Sequence, residues 1–259
     1  MRASHAGSAL IILVVSWQVG IWLFAPPHYI LPAPIAVATT FLRQPGLLIE
    51  NSLITCTEIV LGLILGTCFG AATAFAIAAW PRFGQMVWPM VIVLQALPVF
   101  VLAPILVLWL GFGIASKVAM TTIIIFFPVA SAFTDGLHRT NRDIFDAVSL
   151  TDATHWQSLV QVRMPLALPS LVSGLRVAAP LAPLGAVIGE WVGASAGLGF
   201  VMVQANARMQ TDIVFAAMAV LALLTLLLRF MVDALTRGLT PWAHETSPKS
   251  PSFRRNVQI

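Results

Sequence analysis

The chain is poor in charge. Asp, Glu, Lys and Arg make up 9% of its 259 residues, against about 25% in an average soluble domain. So few charges could not coat a soluble globule, and the natural solvent for this surface is a bilayer. Cysteine is scarce too. Cys56 and Cys68 lie in one apolar stretch; they make no disulfide framework, match no zinc spacing and read as small apolar side chains. No paired His/Asp/Ser arrangement, no metal-ligand spacing and no G-x-x-x-x-G-K-[ST] phosphate loop occurs. The chain is therefore expected to be no enzyme and to bind no metal or cofactor of its own. The net charge of +4 is small and dispersed, which argues against nucleic acid and fits a positive-inside membrane bias. Glu58 is the only deep intramembrane acid, and no internal repeat is visible. An ion-coupled secondary transporter usually needs both.

What remains is apolar: 59% of residues are hydrophobic and the mean hydropathy is +0.92. A helix needs about 20 apolar residues to cross the hydrocarbon core. Six stretches read as spans, at about residues 9–25, 52–80, 85–110, 116–137, 170–193 and 213–235. Pro26 and Pro27 follow the first, with no small-x-small cleavage pattern, so it reads as an uncleaved span. The expected architecture is an all-α membrane domain over residues 1–240, with a Ser/Pro/basic tail, 241–259, expected to be disordered. Residues 138–169 are polar and form a membrane-external loop.

Basic residues set the orientation. With the N-terminus inside, Arg2, Arg82, Arg139, Arg142, Arg163, Arg237, Lys249, Arg254 and Arg255 are cytoplasmic. Arg43, Lys117 and Arg208 lie opposite, while Arg176 and Arg229 sit near the cytoplasmic ends of spans, placed to snorkel. Both termini are thus expected in the cytoplasm.

Gly62, Gly66 and Gly70 share one helix face, as do Gly185, Gly189 and Gly193. Glycine lets helix backbones approach closely in lipid. The pattern allows packing within one chain or, for the second set, a seam between two copies. Pro98, Pro104, Pro128, Pro180 and Pro183 fall within spans, where each removes a backbone donor and is able to kink its helix. Glu58 reads as a structural tie. Gln95, read as buried mid-membrane, and Glu190, at the end of the fifth span beside Trp191, are candidate lining groups for a solute pathway.

The informative segment is the loop. Residues 143–149 read as a short helix, Thr151 and Asp152 as a turn in which either is able to cap, and 153–162 as a second short helix. Pro165 and Pro169 then steer the chain back into the membrane. A two-helix hairpin joined to two spans is a lever for any partner that grips it.

This loop resembles the EAA loop of binding-protein-dependent ABC importer permeases. The family has a Glu-Ala-Ala triplet, then a Gly-Ala pair, then a hydrophobic residue followed by proline. Here Asp146, Ala147 and Val148 stand for the triplet, Asp152 and Ala153 for the pair, and Met164 and Pro165 for the end. Asp152 replaces a near-invariant glycine; Asp tolerates the left-handed conformation better than most residues, so the turn survives. The similarity spans about residues 31–242, including Leu97, Pro98, Phe126, Phe127, Pro128, Gly174, Leu175, Arg176 and Gly197, Leu198, Gly199. It suits the branch importing nitrate, alkanesulfonates, taurine and thiamine-pyrimidine precursors. Residues 186–193 and 204–212 are most similar to permeases for hydroxymethylpyrimidine-type thiamine precursors.

The resemblance implies a multi-pass protein of the bacterial inner membrane. It implies two permease copies, usually identical, two cytoplasmic ATPases that bind the ATP and Mg, and an extracytoplasmic solute-binding protein. Asp146, Ala147, Asp152, Ala153, Trp156 and Pro165 would couple to the ATPase. Gln95, Glu190 and Asn206 would line the pathway.

Overall fold

Backbone polar groups at bilayer depth find no water, so a spanning chain must satisfy them internally, as helices do. The structure, a computed structural model, describes residues 3–139 and 150–241, and every regular element there is helical. In chain order these are α1 (Ala3–Phe24), α2 (Pro34–Arg43), α3 (Pro45–Ala79), α4 (Pro81–Ala96), α5 (Val99–Leu110) and α6 (Ile114–His138). The continuous helix α7 (His155–Gly193) follows, then α8 (Leu198–Ala207) and α9 (Thr211–Arg237).

Among the described residues, α3, α6, α7 and α9 are long and apolar enough to cross a membrane. The stretch expected as one span over 85–110 is instead two helices, α4 and α5, bent by 98°, which give a fifth span if counted together. Leu97 is extended, with ψ 132°, because the ring of Pro98 disfavours helical geometry in the residue before it. The expected first span is helical, as α1, and among the described residues its apolar stretch is Ile11–Phe24. The tail from residue 242 onward, expected to be disordered, lies outside the described residues.

Helix α6 sits at the centre, and the glycine faces explain how. A Cβ on Gly66 would lie 2.6 Å from Ile125 Cβ, and one on Gly70 would lie 2.9 Å from the Phe126 carbonyl oxygen. On the other side, a Cβ on Gly185 would lie 2.7 Å from Thr121 Cα and one on Gly189 3.1 Å from Lys117 Cα. Thr121 is gripped from both sides, since Gly62 meets it as well. The glycines of α3 and of α7 therefore serve packing within one chain; the seam considered for the second set is occupied by α6 at Gly185 and Gly189 and by Val107 of α5 and Phe112 at Gly193.

Ile59, Ile125, Val129, Ala178, Ala182, Ala186, Leu228 and Val232 fill the centre, drawn from α3, α6, α7 and α9. A second cluster ties α2 and α8 to α9 through Val37, Leu198, Val201, Met202, Ile213 and Ala217. Thr40 Oγ1 donates to Asp212 at 3.1 Å, and Thr211 Oγ1 donates to the His28 carbonyl at 2.9 Å. Arg176 and Arg229, expected to snorkel, both pair with Asp233 of α9, at 3.1 Å and 3.0 Å.

Candidate functional site

The loop residues lead directly into α7. Thr154 is the N-cap: Gln157 N–H donates to Thr154 Oγ1 at 3.3 Å, and Thr154 N–H donates to Gln157 Oε1 at 2.9 Å. This is a reciprocal capping box, and its signature, Thr-x-x-Gln, stands in the sequence. Neither Thr151 nor Asp152, the expected caps, takes that place. Asp152 instead has φ +48°, the left-handed turn that its replacement of glycine demands. The expected second short helix is not separate, because the chain runs from His155 to Gly193 without interruption.

Pro165 and Pro169 therefore lie inside a helix and do not redirect it. The reason is a π-turn at Ser158–Arg163, where Met164 N–H donates to Leu159 O, so the ladder has already shifted before Pro165 enters. Leu159 is fully buried against Ala78, Ala79, Phe133 and Leu137. Arg163 donates through Nε and NH2 to the Leu137 carbonyl, at 3.0 Å and 2.7 Å, closing the end of α6. By contrast Ala153 is exposed, and Trp156 is 48% exposed while touching Trp80 and Phe75 at ring separations of 5.9 Å and 6.4 Å. Asp146 and Ala147 lie outside the described residues.

The other end of α7 is held from within. Glu190, expected as a pathway residue, is 1% exposed and faces the interior of the chain. Thr55 Oγ1 of α3 donates to Glu190 Oε1 at 2.6 Å, and Gly199 N–H of α8 donates to Glu190 Oε2. Leu198 N–H donates to Thr55 Oγ1 at 2.8 Å and Gly197 N–H to Asn51 Oδ1 at 2.7 Å. Lys117, expected as an outer flanking charge, is 1% exposed; its Nζ donates to the Phe112 carbonyl at 2.7 Å and to the Gly193 carbonyl. Glu58, which the sequence offered as a structural tie, is buried in the neighbourhood of Glu190 and Lys117, and its Oε2 has no hydrogen-bond partner among the described residues. The cluster supplies side-chain partners to the last carbonyl of α7 and the first amides of α8, groups that no helix satisfies by itself.

Asn206 and Trp191 share a mostly apolar cavity of about 600 Å³ with Leu184, Val187, Met202 and Met218. Gln95, expected to be buried, is exposed on the last turn of α4, beside the bend at Leu97 and Pro98. Of the three expected pathway residues, the structure thus gives Asn206 a cavity, leaves Gln95 on a free helix face and turns Glu190 inward. Among the described residues no group of three His, Cys, Asp or Glu side chains is arranged to hold a metal ion.

Comparison with known proteins agrees with this architecture. Residues 59–244 match the family described as binding-protein-dependent transport system inner membrane component. A probable ABC transporter permease of Haemophilus influenzae is 43% identical over 222 residues, covering 86% of this chain and 91% of that protein. A formylaminopyrimidine transport permease of Halalkalibacterium halodurans is 35% identical, covering 90% and 93%. A riboflavin transport system permease of Chloroflexus aurantiacus is 34% identical, covering 90% and 88%. A chain of the MetNI methionine ABC transporter, in an inward-facing structure, shares the fold with a TM-score of 0.67 at 20% identity, covering 76% of this chain and 99% of that one. This chain belongs to the inner-membrane permease components of binding-protein-dependent ABC importers, a multi-pass membrane protein that is not itself the ATPase.

Proposed function

We propose that this permease imports a hydroxymethylpyrimidine-type thiamine precursor. The observation that carries the reading is the 35% identity, over 90% of the chain, to a formylaminopyrimidine transport permease. The cavity between α7, α8 and α9 supports it, since the Trp191 indole offers a face for a planar ring and the Asn206 amide offers a donor and an acceptor. Riboflavin, alkanesulfonate, taurine or nitrate is the rival cargo for the same machinery.

The permease works as a homodimer with two cytoplasmic ATPases, which bind the ATP and Mg, and an extracytoplasmic binding protein that delivers the solute. Helix α1 is the first of six spans, and both termini are cytoplasmic. Asp146, Ala147, Asp152, Ala153, Trp156 and Pro165 form the coupling surface, and Gln95 and Asn206 face the pathway. ATP-driven closure of the partner moves the His155 end of α7, and the spans rock between two accessible states.

Uptake of labelled hydroxymethylpyrimidine at limiting concentration tests the reading, in cells with and without this gene. Uptake is lost on deletion and restored by the intact gene, though not when the partner ATPase is inactive. Unchanged pyrimidine uptake, with loss of riboflavin, sulfonate, taurine or nitrate uptake instead, overturns the assigned solute.

A further inference from the structure

Helix α8 begins at a break in the chain, where Gly197 has φ +110° and leads into Leu198. The first amides of a helix have no partner within it, and α8 has no local side-chain cap. Its amides at Gly197, Leu198 and Gly199 are taken instead, one each, by Asn51 of α3, Thr55 of α3 and Glu190 of α7. Thr55 joins the set by also donating to Glu190. A carboxylate at a helix N-terminus is stabilised by the helix dipole. The fit leaves no slack: a Cβ added at Gly199 would lie 2.6 Å from Glu190 Oε2, and one at Gly197 would overlap the same carboxylate. Lys117 closes the facing helix end by donating to the carbonyl of Gly193.

A buried carboxylate in a bilayer-spanning segment is costly, so its retention calls for a role. Glu190 is buried, with one oxygen taken by Thr55 and the other by Gly199. We infer that Glu190 is a positioning residue: with Asn51 and Thr55 it locks the start of α8 to the α3–α6–α7 body. Asn206, at the far end of α8, then travels with that body, and α8 does not swing as a separate flap. The inference rests on the transporter reading only for its consequence on uptake.

Amide hydrogen exchange tests it on the assembled complex of permease and ATPase in lipid nanodiscs, both nucleotide-free and vanadate-trapped. In the wild type the amides of residues 197–199 are protected in both states. Glu190→Gln removes the negative charge and turns one accepting oxygen into a donor, so the charge-assisted bonds to Thr55 and Gly199 are lost even where Gln re-pairs with them. Thr55→Val removes a donor and an acceptor together. Each variant speeds exchange at 197–199 by about tenfold while the middle of α3 and of α6 is unchanged. Pyrimidine uptake in the same variants loses maximal rate with unchanged half-saturation.

Free-peptide exchange at 197–199 in the wild type, or loss of protection in the trapped state alone, overturns the lock. Faster exchange throughout both variants, or a raised half-saturation at full maximal rate, overturns the positioning role. If the wild type takes up no pyrimidine, the solute assignment fails while the exchange measurement still decides the lock.

Discussion

The two ends of α7 are finished in opposite ways. At the His155 end the cap is local and exposed: Thr154 and Gln157 satisfy each other, and Ala153 and Trp156 stand open around them. Beyond the Gly193 end the chain is held by buried side chains of three helices: Lys117 of α6 takes the Gly193 carbonyl, and Asn51 and Thr55 of α3 and Glu190 of α7 take the amides at the start of α8. An end that satisfies itself leaves its surface free for another protein. An end satisfied by its neighbours moves with them. The helix between them is continuous for 39 residues, so it carries a push from the first end to the second.

The comparison breaks most sharply at the open end. Ala153→Arg puts a large charge on the proposed coupling surface, at an exposed position. ATP-driven uptake falls by at least about 100-fold, with normal insertion, as a loss of some 2.7 kcal/mol in coupling would give. Normal uptake with normal ATPase co-purification would remove Ala153 from that surface. The next largest effect is at the closed end. Gly197→Ala forces a Cβ into the Glu190 carboxylate at φ +110°. Strain of this kind costs about 1–3 kcal/mol, read as a lower midpoint on unfolding from detergent. Arg163→Met uncouples the π-turn from the Leu137 carbonyl and costs about 1–2 kcal/mol in the same titration. Thr154→Ala removes the local cap for about 1 kcal/mol. Its effect stays within the first turn, as faster amide exchange at residues 155–158. Smallest is Asp233→Asn, whose pairs with Arg176 and Arg229 are partly exposed and worth about 0–1 kcal/mol.

Much of this was legible in the sequence, for reasons that can be named. Apolar length marks α3, α6, α7 and α9, because crossing a bilayer needs apolar length and little else. Glycines four apart mark the faces that press on α6. Prolines were ambiguous. Pro98 follows the end of α4, whereas Pro104, Pro128 and Pro169 sit inside helices, and proline alone does not say which of the two occurs. The cap at Thr154 was readable from Thr-x-x-Gln, but Thr151 and Asp152 offered rival side-chain oxygens. Glu190 stands at the end of a span beside Trp191, and nothing local says that Thr55 and Gly199 converge on its carboxylate. Lys117 was counted as a flanking charge for the same reason, since its partner carbonyl at Gly193 lies 76 positions away.

The most direct measurement compares both ends of α7 at once, by amide hydrogen exchange on the permease in nanodiscs with and without its ATPase. The account predicts that residues 151–157 become protected when the ATPase binds, while residues 197–199 are already protected without it. Equal exchange at 151–157 in the two samples would contradict it, because the open end of α7 would then have no partner to grip it.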